Sequence, residues 1–553
     1  MRTSLGSIDA FAMSYQTLLT TPLATPACKK NKMLRRAFHD FSREELTNIA
    51  WYICGIMMYK LGLEFFNGSI STLATDRFKA ENAFTKLGAA QGLNQAAQCV
   101  GAILIAPLVA KFHTRTVLAC AVAFFGLMTA ILLIVDAATG GEIRKPGGKV
   151  TYGDWNPNAI FAIWTFSGVA YGMVELIRRV IPADIVGGNV NKLRRMDATV
   201  HVLYEVAGTS GAFASSAAIS RFGNNYSFLF SPIFLVCAGI IWTRVGATKR
   251  ISQEHGSDEP GLAAVEKDGK KRNYFAAIGV GAWLFVKSIY TGGWIIFSHR
   301  RFIWLFPGYA LALYLHRFLE SSLAPAFAKR VLGVSAWSQI MVGGSNFGEL
   351  LGALSVFLLN DYIPTPIPWL RLDALMLNLV WLLPFYSRNS PRNVTSAWRI
   401  AGTYIPVSFG WAAGDVSLAA FIQSSLSTMN FSTTDISPLG AVMAFLYSSY
   451  VVMNAVLSSV LGKVIDRDYT ENRSIYNSLQ QVGGIQFSVG CAIIIAATFI
   501  PKGAFSFNPK VLNAMPLEGQ DAEGHPRVDA DAGLDKTDKI DEAEEKVSNG
   551  SLA

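Results

Sequence analysis

Between Thr116 and Val135 the chain reads TVLACAVAFFGLMTAILLIV, a stretch that contains no charged residue. An α-helix of about 20 apolar residues is long enough to cross the hydrocarbon core of a bilayer. Runs of similar length recur along the 553 residues, of which 51% are hydrophobic and only 16% are charged. A soluble domain has about a quarter of its residues charged. The pattern therefore predicts an all-α integral membrane protein.

Twelve such runs are predicted to span the membrane, in two sets of six. The first set covers 47–74, 84–110, 116–136, 159–180, 197–219 and 226–246. The second set covers 303–328, 335–358, 370–387, 398–425, 436–462 and 478–500. Segment 274–298, between the sets, is apolar but is interrupted by Lys287, Gly292 and Gly293. We interpret it as an amphipathic helix at the cytosolic surface, and an additional span is the alternative.

The spans divide the sequence into five parts. These are a basic cytosolic N-terminal arm (1–45), a six-helix bundle (46–246), a cytosolic loop with the lateral helix (247–302), a second six-helix bundle (303–501) and an acidic cytosolic tail (502–553). Residues 516–553 hold 11 Asp and Glu against 4 Lys and Arg, and a segment of this composition is expected to be disordered. The Lys and Arg residues of the early loops predict that both termini are cytosolic.

Composition and motifs argue against several other classes of protein. The six cysteines are scattered without paired spacing, which disfavours a zinc site or a disulfide framework. The sequence lacks the pattern GxxxxGK[ST], so ATP-driven transport is not expected. The net charge of +9 is attributed to loops that flank the membrane rather than to nucleic-acid binding. No nucleophile–base or metal-ligand constellation stands out, and we expect no enzyme activity, cofactor or bound metal.

Two patterns hint that the two sets of spans are duplicated. Spans four and ten each carry two glycines four residues apart and then an acid, namely Gly168, Gly172 and Glu175, and Gly410, Gly414 and Asp415. Spans five and eleven each carry a tyrosine eleven residues before a serine pair, namely Tyr204 with Ser215 and Ser216, and Tyr447 with Ser458 and Ser459.

Six spans, a long central loop and six further spans resemble the layout of the major facilitator superfamily over about residues 45–500. The family's loop between spans two and three is similar to Pro107-Leu-Val-Ala-Lys-Phe-His-Thr-Arg115, which keeps the basic residues Lys111 and Arg115 as candidate gating residues but lacks the acidic one. In span five, Gly208-Thr-Ser-Gly211-Ala-Phe-Ala resembles a degenerate antiporter motif without its proline. The run Arg179-Val-Ile-Pro-Ala-Asp184 and the lateral helix resemble the drug- and macrolide-efflux branch.

The resemblance implies alternating access through a central cavity between two six-helix bundles. We expect secondary transport of a small, amphipathic organic solute, moved outward in exchange for protons by a monomer in the lipid bilayer. A nutrient importer or uniporter of the same fold is one alternative. A receptor or lipid-handling protein that moves no solute is another. The plasma membrane is the expected location, with a vacuolar or other intracellular membrane as the alternative, and sequons at Asn67, Asn225 and Asn393 fit a secretory-pathway membrane.

Charged side chains inside predicted spans are the main functional candidates, because each costs several kcal/mol in a bilayer. The candidates for substrate binding or proton coupling are Lys60, Glu64, His201, Glu205, Arg317, Glu320, Glu349 and Asp415. Lys60 and Glu64 lie four residues apart and can pair on one helix face, as a functional site or as a structural ion pair. Glu349 and Asp415 have no obvious partner nearby in the sequence.

Polar and aromatic residues complete the predicted site. The candidates for lining the cavity are Asn94, Tyr171, Trp411 and Tyr447. A lipid-facing aromatic or an amide that links two helices is the alternative for each. Glu175 is expected to pair with Arg178 or Arg179, and the ladder Gly344, Gly348 and Gly352 is expected to serve close helix packing.

Overall fold

Thirteen helices make up the described part of the chain, which in this computed structural model comprises residues 41–186, 190–246, 274–359, 362–426 and 438–509. The N-terminal half contains α1 (Arg43–Arg77), α2 (Ala83–Lys111), α3 (Thr114–Ala138), α4 (Ala159–Val186), α5 (Val190–Phe222) and α6 (Tyr226–Thr243). After α7 (Tyr274–Ser298), the C-terminal half contains α8 (306–332), α9 (Ser338–Leu359), α10 (Pro366–Asn389), α11 (Val394–Leu426), α12 (Pro438–Asn472) and α13 (Tyr476–Ala497).

The helices confirm the predicted all-α membrane fold class. Each of the twelve predicted spans coincides with one helix, and segment 274–298 forms α7. Eleven of the helices described here contain a stretch that is long and apolar enough to cross a membrane. The other two are α5, which begins with several charged residues, and α8, which is divided by π-helical turns. The predicted arm up to residue 40, loop 247–273 and the tail from residue 510 lie outside the described residues.

Helix α8 departs from regular α-helical geometry in three places. Its π-helical turns cover Phe306–Leu311, Leu319–Leu323 and Ala328–Leu332, and the helix ends at Gly333, whose φ of +84° suits a glycine C-cap. Such turns interrupt the regular backbone hydrogen bonding of a helix and occur often at functional sites. The second turn contains Glu320, one of the predicted site residues.

Glycine rows bring pairs of helices close together inside each half. A Cβ atom added to Gly344 of α9 would lie 2.5 Å from the Ala401 carbonyl oxygen of α11. Gly348 and Gly352 face the carbonyls of Ile405 and Phe409, one and two turns further along that helix. The predicted packing role of this ladder is confirmed.

The proposed equivalence of the glycine pairs in spans four and ten is wrong. Gly168 and Gly172 of α4 face α2, whereas Gly410 and Gly414 of α11 face α10. The two pairs share a spacing because small residues recur in packed membrane helices, and the spacing does not mark equivalent contacts.

The serine pairs of spans five and eleven, in contrast, occupy equivalent joints between the halves. Ser216 of α5 donates a hydrogen bond to the Ala336 carbonyl just before α9, at 3.0 Å. Ser459 of α12 donates to the Thr85 carbonyl at the start of α2, at 3.4 Å. Each half therefore contributes one helix that packs against the beginning of a helix in the other half.

Polar contacts join the two halves at the end where α1 finishes and α2 begins. Lys329 of α8 forms an ion pair with Asp76 of α1 at 2.6 Å, and Ser335 donates to the same carboxylate at 2.8 Å. Arg330 donates to the Ala80 carbonyl at 2.8 Å. With cytosolic termini, as the sequence predicts, this end faces away from the cytosol.

Both ends of α7 contact the bundle at the end opposite to the Asp76–Lys329 ion pair. The Tyr274 hydroxyl donates to the Leu104 carbonyl near the C-terminus of α2 at 3.0 Å, and Gly292 packs on Ala441 and Phe445 near the N-terminus of α12. Helices α2 and α12 run antiparallel side by side, as the contacts of Gly88 and Gly92 with α12 show. The two contacts of α7 therefore lie at one end of the bundle, and the placement of this helix at a membrane surface stays a prediction.

The Asn225 sequon lies in the loop between α5 and α6, but its side chain is not accessible. The Asn225 side chain is buried, and its Nδ2 atom donates to Asp136 at 2.8 Å and to the Thr151 carbonyl at 3.1 Å. Asn67 lies inside α1 and lines a cavity. Asn393 is exposed in the turn before α11.

Candidate functional site

A cavity of about 340 Å³ lies between the two halves. A volume of this size suits a small-molecule ligand. All eight charged candidates and all four lining candidates are on its walls: Lys60, Glu64, His201, Glu205, Arg317, Glu320, Glu349, Asp415, Asn94, Tyr171, Trp411 and Tyr447. Residues that lie up to 387 positions apart in the numbering thus share one site, and their roles in transport stay predictions.

The N-terminal wall is centred on an ion pair. The ammonium nitrogen of Lys60 lies 2.7 Å from Glu64 Oε1, and the two side chains are only 12% and 7% exposed. The same ammonium lies 4.6 Å from the ring centre of Tyr204 on α5. The predicted pairing of Lys60 with Glu64 is confirmed, and the Tyr204 ring adds a cation–π contact.

Glycines of α5 make room for this ion pair. A Cβ atom at Gly208 would lie 2.6 Å from Lys60 Cε, and one at Gly211 would lie 2.9 Å from Glu64 Cβ. These are the two glycines of the stretch that resembles an antiporter motif. In this chain they allow α5 to approach the charged face of α1.

Glu205 lies on the same wall but has an incomplete set of partners. The residue is 6% exposed, and no hydrogen-bond donor in the described residues reaches its Oε2 atom. The buried His201 lies one helical turn before it. The side chain of Asp197, a further turn away, is outside the described part of the structure.

A second ion pair supports this wall from behind. Arg178 donates to both carboxylate oxygens of Glu175, at 3.1 and 2.6 Å, and the Tyr59 hydroxyl donates to the same carboxylate at 2.9 Å. Glu175 is fully buried. The predicted local ion pair of Glu175 is confirmed, and Arg178 extends from it to the cavity wall.

The C-terminal wall carries a network of four charged or titratable side chains. His316 Nε2 lies 2.8 Å from Glu349 Oε1 and 3.5 Å from Glu320 Oε1. Arg317 Nη1 lies 2.7 Å from Glu320 Oε2, an ion pair between residues three positions apart on α8. The His316 ring stacks on Trp411 with 5.2 Å between ring centres. Glu349 has no partner nearby in the sequence, as expected, and its partner His316 comes from another helix.

Asp415 of α11 completes the charged part of the site. It lines the cavity, and its Oδ1 atom has no hydrogen-bond partner among the described residues. Glu205 and Asp415 therefore give the cavity one incompletely bonded carboxyl group from each half.

One cluster on the C-terminal wall has the spacing of a metal site. His316, Glu320 and Glu349 each place one possible ligand atom within 4.8 Å of the others. The Arg317 guanidinium already binds Glu320 at 2.7 Å and would repel a cation placed there. The sequence predicts no metal, and the arginine makes this cluster a poor cation cage.

The lining amides also hold helices together. Asn94 Nδ2 donates to the Trp164 carbonyl of α4 at 2.8 Å, and Gln98 donates to Asn94 at 2.9 Å. Gln95, which is not among the predicted lining residues, donates to the Tyr450 hydroxyl at 2.8 Å and so links the two halves. Tyr447 packs against Tyr450 with 5.5 Å between ring centres.

The two candidate gating residues lie apart from the cavity. Lys111 is exposed at the end of α2. Arg115, at the start of α3, donates to the Val245 carbonyl after α6 at 2.9 Å, a contact within the N-terminal half. The structure does not bring these two residues to the charged site, and their gating role stays a prediction.

Comparisons with known proteins agree on the fold. No curated protein matches the sequence significantly. A D-xylose–proton symporter matches the structure with a TM-score of 0.55 and 12% identity, over 82% of this chain and 96% of its own. A mutant of the nucleoside transporter NupG matches with a TM-score of 0.51 and 13% identity, over 81% and 99% of the two chains. A mutant peptide transporter POT in complex with alafosfalin matches with a TM-score of 0.52 and 13% identity, over 82% of this chain and 96% of its own.

The family assignment rests on the sequence itself. The sequence model of the Major Facilitator Superfamily matches residues 52–434, which is well over half of the chain and includes most of both halves. Members of this family are membrane transporters and not enzymes. This chain belongs to the major facilitator superfamily.

Proposed function

We propose that this transporter moves a small organic solute by proton-coupled alternating access through the cavity between its halves. The observation that carries the proposal is the meeting of Glu205 and Asp415, one from each half, in one cavity, each with a carboxylate oxygen that lacks a donor among the described residues. A carboxyl group in such surroundings is poorly solvated when ionised and can take up a proton instead.

The lining favours an amphipathic solute. Charged pairs on both walls, Lys60 with Glu64 and Arg317 with Glu320, offer partners to charged or hydrogen-bonding groups. Aromatic rings lie beside them on the same walls, namely Phe66, Phe125, Trp164, Tyr171, Tyr204, Trp411, Tyr447 and Tyr450. A molecule with a ring-sized apolar part and one or more polar or charged groups would contact both kinds of side chain.

The proposed direction is outward, with protons moving inward. Its basis is the resemblance of residues 179–184 and of the lateral helix to the efflux branch. We also propose that α7 lies along the cytosolic surface, because both of its ends contact the same end of the bundle. A proton symporter that imports its solute is the competing proposal, since a D-xylose–proton symporter shares the fold.

The test is transport in sealed proteoliposomes of known protein orientation. A mixed panel of small amphipathic compounds is offered with and without an imposed pH gradient. Export coupled to protons predicts that an inward proton gradient drives solute outward and that reversing the gradient reverses the flux. Solute and protons moving in the same direction would establish the symporter instead. An equal rate of solute transport with and without the pH gradient would refute proton coupling.

Two variants assign the coupling groups. We expect Glu205→Gln and Asp415→Asn each to reduce gradient-driven transport by at least tenfold while solute exchange without a gradient continues. The matched controls are Glu142→Gln and Asp154→Asn, which make the same chemical changes at exposed positions outside the cavity. Full gradient dependence in both cavity variants would show that other groups carry the protons.

A further inference from the structure

Among the residues described, three lysine or arginine side chains line the cavity, and each forms an ion pair with an acid on its own helix. The three pairs are Lys60 with Glu64 at 2.7 Å, Arg178 with Glu175 at 2.6 Å and Arg317 with Glu320 at 2.7 Å. An anionic solute could bind one of these bases only by displacing its carboxylate. The displaced carboxylate would be left buried without a cation, which is strongly unfavourable.

The cavity contains more acids than these three bases can pair. Glu205 and Asp415 also line it, and Glu205 is only 6% exposed. Within the described part of the chain, no hydrogen-bond donor reaches Glu205 Oε2 or Asp415 Oδ1. Glu349 is a further lining acid, and His316 binds it at 2.8 Å. Even when that histidine carries a charge, the described wall retains two carboxyl groups without an ion pair.

The charged and titratable groups that act on Glu205 and Asp415 belong to α1, α8, α9 and α10. They are Lys60, Glu64, His316, Arg317, Glu349 and Asp373. Asp373 of α10 is fully buried and absent from the cavity lining, and Gly410 of α11 packs against it. The permanent cations among these groups, Lys60 and Arg317, already have carboxylate partners. The cavity is therefore negatively charged when its carboxyl groups are ionised.

Aromatic rings in the cavity suit a positively charged solute as well. The Lys60 ammonium and the Arg178 guanidinium both lie over the Tyr204 ring, 4.6 and 4.9 Å from its centre. The rings of Trp164 and Tyr171 line the same cavity. The face of an aromatic ring attracts cations, and proteins recognise quaternary ammonium groups with such rings.

We propose that the transported solute is an organic cation, an amine or quaternary ammonium compound with an apolar part, and that Glu205 and Asp415 receive its charge. The inference names the solute of the function proposed above and rests on it. A carboxylate that pairs with the cation cannot hold a proton at the same time. Each monovalent solute that enters the cavity then releases one proton, which fits an exchange of solute against protons.

The first test measures which charge the cavity attracts and needs no knowledge of the solute. A cysteine replaces Val342, a partly exposed lining residue, in a background whose native cysteines are replaced by alanine. Two methanethiosulfonate reagents, one with a trimethylammonium group and one with a sulfonate, react with Val342→Cys in alkaline buffer. Each rate is divided by the rate of the same reagent with a free thiol in solution. We expect the cationic reagent to be favoured at least tenfold.

Variants then assign this preference to the two acids. Glu205→Gln combined with Asp415→Asn should remove most of it. Glu142→Gln combined with Asp154→Asn, the same chemical changes at exposed positions outside the cavity, should retain it. Equal relative rates of the two reagents when both acids are present would overturn the inference, and that measurement does not depend on whether the double variant folds.

The second test uses two aromatic compounds of similar size and permanent charge. Phenyltrimethylammonium and benzenesulfonate are compared for their ability to slow the reaction of Val342→Cys with uncharged N-ethylmaleimide. We expect the cation to give half-maximal protection at a concentration at least tenfold below that of the anion. Protection by the anion at the lower concentration, or by neither compound, would overturn the inference.

Transport in the proteoliposomes described above separates this inference from the proposed function. Gradient-driven flux of anionic or neutral compounds, without flux of cations, would overturn the cation selectivity and leave proton coupling standing. Cation flux at an equal rate with and without the pH gradient would refute proton coupling and leave the cation site standing.

Discussion

The carboxylate of Asp466, in the C-terminal half, caps the first turn of α2 in the N-terminal half through Thr85. It accepts hydrogen bonds from the Thr85 backbone amide at 2.9 Å and from the Thr85 hydroxyl at 2.9 Å. The adjacent Phe84 amide donates to the same side chain at 3.1 Å. Asn82, the N-cap residue of α2 itself, makes no side-chain cap. One half therefore supplies the cap of a helix in the other, and the cap must break when the halves separate at this end.

The first prediction concerns this cap between the halves. Asp466→Ala should destabilise the closed arrangement by about 1 kcal/mol, the usual cost of losing a helix cap. A free-energy change of this size alters the ratio of closed to open forms roughly fivefold. In the Asp466→Ala variant, a cysteine introduced at Ser71, which lines the cavity, should react faster with a membrane-impermeant thiol reagent than it does in the wild type. The reagent is added on the side of the membrane where Asp466 caps α2.

The matched control for this experiment is Asp468→Ala on the same helix. Asp468 accepts a hydrogen bond from the Ser478 amide at 2.7 Å, a contact within the C-terminal half. It should lower stability without changing the labelling rate. Equal acceleration in both variants would mean that general destabilisation, rather than the joint between the halves, controls access.

The second prediction concerns the ion pair between Asp76 and Lys329. The two side chains are 17% and 33% exposed, so solvent screens the pair only in part. A double-mutant cycle of Asp76→Asn and Lys329→Met should give a coupling energy on the order of 1 kcal/mol. The cycle separates the ion pair from the bonds of Asp76 with Ser335 and Asn224.

The exposed pair of Glu142 and Lys145 is the control for this cycle. Its side chains are 60% and 81% exposed and their charged atoms lie 3.6 Å apart. Its coupling energy should lie within about 0.5 kcal/mol of zero. A zero value for the Asp76–Lys329 pair as well would show that this end is held by the cap and the serine contacts alone.

The third prediction concerns the close contact of α9 and α11. Gly344→Ala places a methyl group 2.5 Å from the Ala401 carbonyl oxygen, too close for van der Waals contact, so the helices must move apart. Overpacking of this kind should cost about 1–3 kcal/mol in stability. Gly402→Ala is the matched control, because a Cβ atom there meets no atom within 4 Å. It should leave the thermal unfolding temperature unchanged or raise it, and a loss of stability as large as that of Gly344→Ala would contradict the packing argument.

The sequence was sufficient to predict the helices, because hydropathy is a local property of each apolar run. It also predicted the charged wall residues, since a charge inside a span is costly and needs a partner or a function. It did not reveal that His316 binds Glu349, because the two side chains come from different helices, 33 positions apart. Asp373 was missed because an acid near the beginning of a predicted span is expected at the membrane surface, and only the packing of α11 on α10 buries it.

The π-helical turns of α8 were also beyond the reach of the sequence. A regular α-helix places residues four positions apart on one face. The turn at Leu319–Leu323 adds a residue and changes which side chains face the cavity from that point onward. The equivalence of glycine pairs failed for a related reason, since spacing along a helix does not specify the helix on the other side of the contact.

The last prediction separates the structural and functional roles of Lys60 and Glu64. Lys60→Met leaves Glu64 buried without its cation, which should cost about 3 kcal/mol or more in stability. The double variant Lys60→Met with Glu64→Leu removes both charges and should recover most of that loss. The exposed pair of Arg467 and Glu471 is also four residues apart, with 2.7 Å between charged atoms. It provides a control in which Arg467→Met, alone or with Glu471→Leu, should have little effect.

Transport by the double variant then decides between the two roles. The pair is on the cavity wall, its ammonium contacts Tyr204, and Gly208 and Gly211 leave space for it, so the surrounding helix is built to accommodate the charges. A pair that only holds helices together can be replaced by apolar side chains of similar size without loss of function. We therefore expect the double variant to unfold at nearly the wild-type temperature in thermal melts but to lose at least tenfold in transport. Recovery of both stability and transport would show that Lys60 and Glu64 are a structural pair and that the solute and protons bind elsewhere in the cavity.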